Sequence, residues 1–348
     1  MIEEELRHAL AGLVDGLPPR QAAGAVERLM ASYRGPTPTG APVLRDRADV
    51  VAYAAYRMPA TFAAVEAALA AFAERTGEWL PEHHLDVGGG TGAAVWAAAA
   101  VWGDAGPDGA PRRTTVLDWA EPALALGREL AGTSAAASLR GTEWRRRSLR
   151  EPAAEPSLPA ADLVTVSYVL GELTEGDRRT LVDAAAGAGR AVVLAEPGTP
   201  DGYARIIAAR DRLTAAGLRV LAPCPHSAPC PMVPGEDWCH FAARVNRSSL
   251  HRQVKGGSLP YEDEKFSYVA AVRPGLGDGP AAGRVVRRPQ TRKGQVLLDL
   301  CTAEEGLRRT TVTKRHGAAY RAARDTRWGD AWPPDPGSGG AGDPGVGR

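Results

Sequence analysis

The segment Leu85-Asp86-Val87-Gly88-Gly89-Gly90-Thr91-Gly92 constrains this chain more than any other. It leaves a short apolar run, His84 to Val87, and enters an alanine-rich helix from Ala93 to Val101. Glycine lets the backbone turn sharply between strand and helix and approach a ligand, while free amides at the helix start face that ligand. The spacing G-x-G-x-G behind an acidic residue differs from the G-x-G-x-x-G of dinucleotide sites. It favours S-adenosylmethionine, with Asp86, Gly88, Gly90 and Gly92 as the residues that would hold it. A plain strand-to-helix turn also uses glycine, so the reading depends on what surrounds the loop.

Short apolar runs alternate with helical patterns from Glu82 onward, which is the signature of a parallel sheet covered on both faces. Strands are expected at 84–87, 114–117, around Trp144, at 162–167, 191–195 and 218–222, with a helix over 202–216. A last run, 266–272, would return antiparallel and complete an α/β sheet of the class I methyltransferase, Rossmann-like type. Asp118 ends the second strand, where a carboxylate can accept hydrogen bonds from ribose hydroxyls. Tyr168 and Glu172 follow the fourth strand at the carboxyl edge of the sheet, and either could line a pocket or simply pack. There is no Asp-Pro-Pro-Tyr type motif and no cysteine on that edge, so the methyl acceptor is not written in the sequence.

Around this core the chain divides further. Residues 1–75 read as an N-terminal helical cap, with helices over 3–15 and 19–34 and two more over 48–75 divided at Pro59. The methyltransferase-type domain spans 76–273 and holds a cysteine-rich insertion at 223–265. A basic β extension follows at 274–330, with a small antiparallel meander at 284–288, 295–301 and 307–314. Residues 331–348 are mostly Pro, Gly, Ser and Asp and are expected to be disordered.

All four cysteines lie beyond residue 223: Cys224, Cys230, Cys239 and Cys301. The first three are separated by five and eight residues, unlike the paired C-x-x-C knuckles of a zinc ribbon. Prolines follow Cys224 and Cys230, as one does in the bacterial ferredoxin run, and four thiolates are what an iron-sulfur cluster uses. Zinc, with His226 or His240 as a further ligand, is the alternative, and unligated buried thiols are the plain one.

The 42 basic and 41 acidic side chains leave a net charge of +1, so any nucleic-acid surface must be local. The extension supplies one in Arg288, Arg292, Lys293, Arg308, Arg309 and Lys314, and Arg244 to Lys255 adds further basic residues. A solvated basic face without a partner is equally compatible with this charge. No run of about 18 apolar residues suggests a membrane span. Glu3, Glu4 and Glu5 fit neither a transit nor a signal peptide, so a cytoplasmic protein is expected.

Taken together, Tyr56 to Thr61, Leu85 to Gly92, Glu196 to Gly202, Cys224-Pro225-His226, Asp237 to Phe241, Gly256 to Tyr268 and Trp328-Gly329-Asp330 resemble one family. It is the methyltransferase-like family that assists small ribosomal subunit assembly in mitochondria and has bacterial relatives, of which this chain would be one. The resemblance implies a [4Fe-4S] cluster on Cys224, Cys230, Cys239 and Cys301, a cofactor loop at 88–92, and small-subunit ribosomal RNA as partner, with neither DNA nor membrane. Thr91 stands where the family usually has proline. Two functions from different classes follow: an RNA methyltransferase, and a non-catalytic assembly factor that grips immature small subunits. A small-molecule methyltransferase with a structural zinc is a third.

Overall fold

His83–Val87 (β1) carries five residues with little room for solvent on either face, and that burial requires strands on both sides. They are Arg113–Asp118 (β2) and Ala161–Ser167 (β4), both parallel to it. The computed structural model describes residues 1–14, 24, 26, 47–149, 157–247 and 259–334. Adding Glu143–Arg146 (β3), Gly189–Pro197 (β5), Arg219–Ala222 (β6), Phe241–Asn246 (β7) and Tyr261–Val272 (β8) gives the sheet order β3-β2-β1-β4-β5-β8-β6. β8 runs antiparallel to both β5 and β6. This is the class I methyltransferase arrangement, with the last strand inserted in reverse between its two predecessors.

One face of the sheet is covered by Ile2–Val14 (α1), Arg47–Ala73 (α2), Ala93–Trp102 (α3), Glu121–Gly132 (α4) and the short turn Ala137–Arg140 (α5). Glu175–Ala188 (α6) and Pro200–Ala215 (α7) cover the other. Pro59 does not divide the cap into two helices as its sequence suggests: α2 runs through it as one helix of 27 residues. An interior proline costs about 3 kcal/mol. Met58, Phe62, Val65, Leu69 and Phe72 are all buried along this helix, at roughly 1.5 to 3 kcal/mol each, so tertiary packing outweighs the local preference. The helix expected over 19–34 and the disordered tail fall largely outside the described residues, the tail from 335 onward.

The insertion is more ordered at its end than the sequence suggests. β8 begins at Tyr261 rather than 266, and its outer half pairs antiparallel with β7. Glu262, Asp263 and Glu264 break the apolar pattern there, and the hairpin is instead tied by Arg244 to Asp263 and Arg247 to Glu262. The basic residues expected beyond Arg247 lie outside the described residues.

The C-terminal extension forms a separate four-stranded sheet of Gly283–Val285 (β9), Gln290–Arg292 (β10), Gln295–Thr302 (β11) and Gly306–Thr313 (β12), with β11 in the middle. Val285, Val296, Leu298, Leu300 and Val312 make its own small core beneath Ala318–Asp325 (α8). β10 and α8 were not evident in the sequence, because three exposed residues and a helix with one buried side chain carry little apolar pattern.

Candidate cofactor and metal sites

At the glycine loop, Gly88, Gly90 and Gly92 take φ values of +70°, +54° and +84°, a region that side chains with a Cβ enter at a cost. What presses on the loop differs along it. A Cβ at Gly88 would meet Val169 at 2.7 Å and one at Gly92 would meet Trp144 at 2.6 Å, so these two glycines admit protein side chains. At Gly90 the nearest atom is Asp118 Oδ2 at 3.9 Å, and the space above it is open.

Two buried acids stand behind the loop. Asp86 accepts a hydrogen bond at Oδ1 from Thr165 Oγ1 at 2.7 Å, while its Oδ2 is buried without a partner in the structure. Burial pushes the Asp86 carboxyl up to about 7, and the nearby Asp118 adds to this against the Thr165 hydrogen bond. Asp118, at the end of β2, is also raised by burial, although its Oδ2 accepts from Gly90 N at 2.9 Å and its Oδ1 from Ala120 N at 2.8 Å. An ionised carboxylate has about four acceptor positions, so hydroxyls can still be accommodated. An orphaned buried carboxylate oxygen, an open glycine and a second acid suit the ribose and the positively charged methionine end of S-adenosylmethionine. The residues fit that cofactor.

Tyr168 follows β4 at the carboxyl edge with φ +60°, the one non-glycine residue at positive φ among the described residues. Its N–H donates to Ala195 O at 2.8 Å, and its hydroxyl donates to Glu264 Oε1 at 3.1 Å, which Arg57 of α2 also reaches at 3.2 Å. The cap, the sheet edge and the hairpin thus meet in one buried polar group. Arg57 and Glu264 lie in segments that carry the family resemblance, but their pairing was not legible, because each acts on a partner far along the chain. Glu172, the other edge residue, sits exposed in a short 3-10 turn.

The four cysteines come together from two parts of the chain. Cys224, Cys230 and Cys239 lie in the loop between β6 and β7, and Cys301 lies near the end of β11, in register with Arg284 of β9 and Leu307 of β12. All four line one pocket, whose room for a water-sized centre is about 30 Å³. Burial first, then the other three cysteines, push the Cys239 thiol well above its ordinary range, and burial with Cys224 and Cys230 raises Cys301 to about 12.

The loop is fastened to the methyltransferase-type sheet at several points. Trp238 Nε1 donates to Gly198 O at 2.9 Å, Ser267 Oγ donates to Cys239 O at 2.8 Å, and the Tyr203 hydroxyl lies 3.2 Å from Cys230 Sγ. His226 reaches the pocket, with Nε2 at 3.8 Å from Cys301 Sγ, whereas His240 stacks on Trp238 with ring centroids 5.2 Å apart.

Arg210 and Arg284 also line this pocket, each only 1% exposed. Arg210 escaped notice in the sequence, although it falls on the buried stripe of α7 with Ile206 and Leu213, where a cation is out of place. Among the described residues no group of three or more His, Cys, Asp and Glu side chains is gathered as a single metal ion requires. A zinc ion needs its thiolates at about 2.3 Å from one point. Four thiols around a shared space are a donor set that an iron-sulfur cluster or a zinc ion could use, and the missing close gathering bears equally on both.

The six basic residues singled out in the extension are all exposed. Arg309 pairs with Asp299 at 2.7 Å, Arg308 with Glu305, and Arg288 with Asp263 at 3.8 Å. Arg292, Lys293 and Lys314 have no acidic partner among the described residues.

Comparison with known proteins places the chain in a family. The chain is 28% identical over 297 residues to the human mitochondrial ribosome assembly protein METTL17, covering 81% of this chain and 62% of that protein. It is 27% identical over 188 residues to the Rsm22-cox11 tandem protein 2 of Schizosaccharomyces pombe, covering 42% of this chain and 25% of that one. The chain therefore spans less than two thirds of the length of these relatives. A putative RNA methyltransferase from Pyrococcus horikoshii superimposes with a TM-score of 0.38 at 13% identity, covering 72% of this chain and 96% of that one, a likeness too loose to add to the strand order. The model of the family described as mitochondrial small ribosomal subunit Rsm22 matches residues 47–333, from the cap helix through both sheets, and the chain belongs to that family.

Proposed function

We propose that this protein acts in assembly of the small ribosomal subunit, binds S-adenosylmethionine at 88–92 with Asp86 and Asp118, and carries a [4Fe-4S] cluster on Cys224, Cys230, Cys239 and Cys301. The observation that carries this reading is the convergence of those four thiols on one pocket from an inserted loop and from the C-terminal sheet. A cluster there would fix the basic sheet against the methyltransferase-type domain, and a fixed array of cations suits an RNA phosphate backbone. Membership of a ribosomal family supplies the partner.

Within this reading, grip is favoured over catalysis. The carboxyl edge, where an acceptor base would enter, holds the mutually bonded Arg57, Tyr168 and Glu264. Methylation of ribosomal RNA is the second reading and rests on the glycine loop and its acids. Anaerobic purification with iron and sulfide analysis tests the cluster, and near-equal amounts of both are expected. Colourless protein with one zinc would favour the zinc alternative. Cosedimentation should show binding to small subunits in preference to large ones. Absence of any preference would overturn the ribosomal reading. Labelled methyl transfer to small-subunit RNA would restore the catalytic one.

A further inference from the structure

Arg210 and Arg284 are among the largest side chains sealed from solvent in this protein, and both abut the cysteine pocket. Each is held by carbonyl oxygens. Arg210 Nη2 donates to His226 O at 3.0 Å and also to Ala228 O, while Arg284 donates from Nε to Pro223 O at 3.0 Å and from Nη1 to Gly329 O at 2.8 Å. These bonds orient the two forks but do not neutralise them. The acid beside Arg210 is Asp211, whose Oδ1 lies 3.2 Å from Nη1 and whose side chain is largely in solvent. Arg284 has no acidic partner among the described residues. Each guanidinium also keeps one buried donor unused, Nε of Arg210 and Nη2 of Arg284.

A buried cation without a counter-charge is costly, and so is a buried donor without an acceptor. Arg284 without an acid, Arg210 with one whose side chain is largely in solvent, and two unused donors around one pocket imply an occupant that is anionic and accepts hydrogen bonds. Four thiolates on a metal centre supply both properties, since sulfur ligands retain negative charge that the metal does not cancel. Placement favours the same occupant: Arg284 stands opposite Cys301 in the β9–β11 register, and Arg210 lies against Cys224.

We infer that Arg210 and Arg284 are positioning residues for the cysteine-bound centre: they balance its negative charge and donate to its sulfurs through Arg210 Nε and Arg284 Nη2. This rests on the cluster reading above and adds to it two residues that bind no metal. It also ties the methyltransferase-type domain to the C-terminal sheet, because Arg210 belongs to α7 and Arg284 to β9.

The test uses the full-length protein purified anaerobically, with Arg210→Lys, Arg210→Gln, Arg284→Lys and Arg284→Gln compared with the unaltered chain. Iron retention against a chelator and the one-electron midpoint from an optical redox titration are read, with circular dichroism to confirm folding. Loss of an outer partner weakens metal retention by about 10- to 100-fold, and the Gln variants should fall in that range. Their midpoints should move to more negative potential, because an added electron loses its nearby cation. A tenfold change in that equilibrium is about 59 mV for one electron. The Lys variants keep the charge and should stay near the parent in midpoint while losing some retention. Should Arg284→Gln fail to fold, Arg210→Gln and the two Lys variants still decide. Folded Gln variants with unchanged retention and midpoint would overturn the inference while leaving the cluster intact. If the unaltered protein contains no iron and sulfide, the cluster reading itself is at fault.

Discussion

The glycine loop and the cysteine pocket are built in opposite ways. Asp86, the glycines and Asp118 lie within 32 positions of each other along two adjacent parallel strands and the loop that leaves the first, whereas Cys224 and Cys301 are 77 positions apart, one in the loop after β6 and the other on the C-terminal sheet. Their buried charges are opposite too. Two carboxyl groups with raised pKa stand behind the loop, and two buried guanidiniums stand around the thiols, Arg284 without an acid and Arg210 with Asp211, whose side chain is largely in solvent. The proposed occupants differ in the same sense, a cationic sulfonium beside the acids and an anionic cluster beside the arginines.

Breaking the pocket should have the largest effect, because it joins an inserted loop of the methyltransferase-type domain to the C-terminal sheet. Structural metal centres contribute on the order of 10 kcal/mol to the folding of the segments they connect. Cys301→Ser is expected to abolish stoichiometric iron and to expose the 274–282 connection to limited proteolysis, while the sheet order around β1 persists. Full iron content in this variant would remove Cys301 from the ligand set and separate the two sheets functionally.

The loop should respond to pH instead. Asp86 has a folded pKa near 7 against an ordinary value of 3.8, so ionising it disfavours the folded state. The sign follows: the penalty is absent below about pH 4, grows as pH rises, and is complete above about 7. At 1.36 kcal/mol per unit this amounts to roughly 4 kcal/mol as an upper figure. Urea melts of Asp86→Asn should therefore lose less stability between pH 5 and pH 8 than melts of the parent. S-adenosylmethionine should narrow the difference in the parent, because its positive charge favours the ionised acid. Parallel pH profiles for the two proteins would show that Asp86 is ionised at no cost.

These differences also explain what could be read from the sequence. The loop and the strands on either side of it follow from contiguous apolar runs and glycine spacing, so strand 1, Asp86, Gly88 to Gly92 and Asp118 were legible together. The roles of the individual glycines were not, because Trp144 against Gly92 and Val169 against Gly88 are tertiary contacts. For the pocket, the four cysteines could be grouped from their number and spacing, but the elements that bring them together could not be read from the sequence. Arg210 gave no signal of its own, and Arg284 counts in the sequence with the basic surface of the extension, whereas the structure buries it at the pocket. Pro59 misled for the complementary reason: a strong local signal yields where a long helix buries a whole stripe.

A smaller effect is expected at Asp118. Replacing it with Ala removes the acceptors for Gly90 N and Ala120 N and any bond to cofactor hydroxyls. Bonds to a charged acceptor contribute roughly 1.5 to 3 kcal/mol, or about 10- to 150-fold in affinity for S-adenosylmethionine by calorimetry. Iron content should not change. An unchanged affinity would show that Asp118 serves the loop alone, and a loss of iron would show that loop and pocket are coupled.

The smallest expected effect sharpens the comparison at the outer surface, where neither site is touched. Each phosphate contact contributes a slope of roughly 0.9 in the dependence of log affinity on log salt for duplexes and about 0.7 for single strands. Arg309 shares its β-sheet face with Cys301, two positions along the ladder, but its charge is already engaged by both oxygens of Asp299. Arg292 and Lys293, at the β10–β11 turn, have no acidic partner among the described residues. A guanidinium that must leave a carboxylate to meet a phosphate releases fewer counterions in net, because its charge was partly neutralised beforehand. Arg292→Gln and Lys293→Gln should therefore each flatten the salt dependence of small-subunit RNA binding by nearly a full contact, and Arg309→Gln by less. Equal slopes for all three would mean that the Asp299 pair opens freely on binding. No change for any of them would move the RNA surface off this sheet and leave the pocket with a purely internal role.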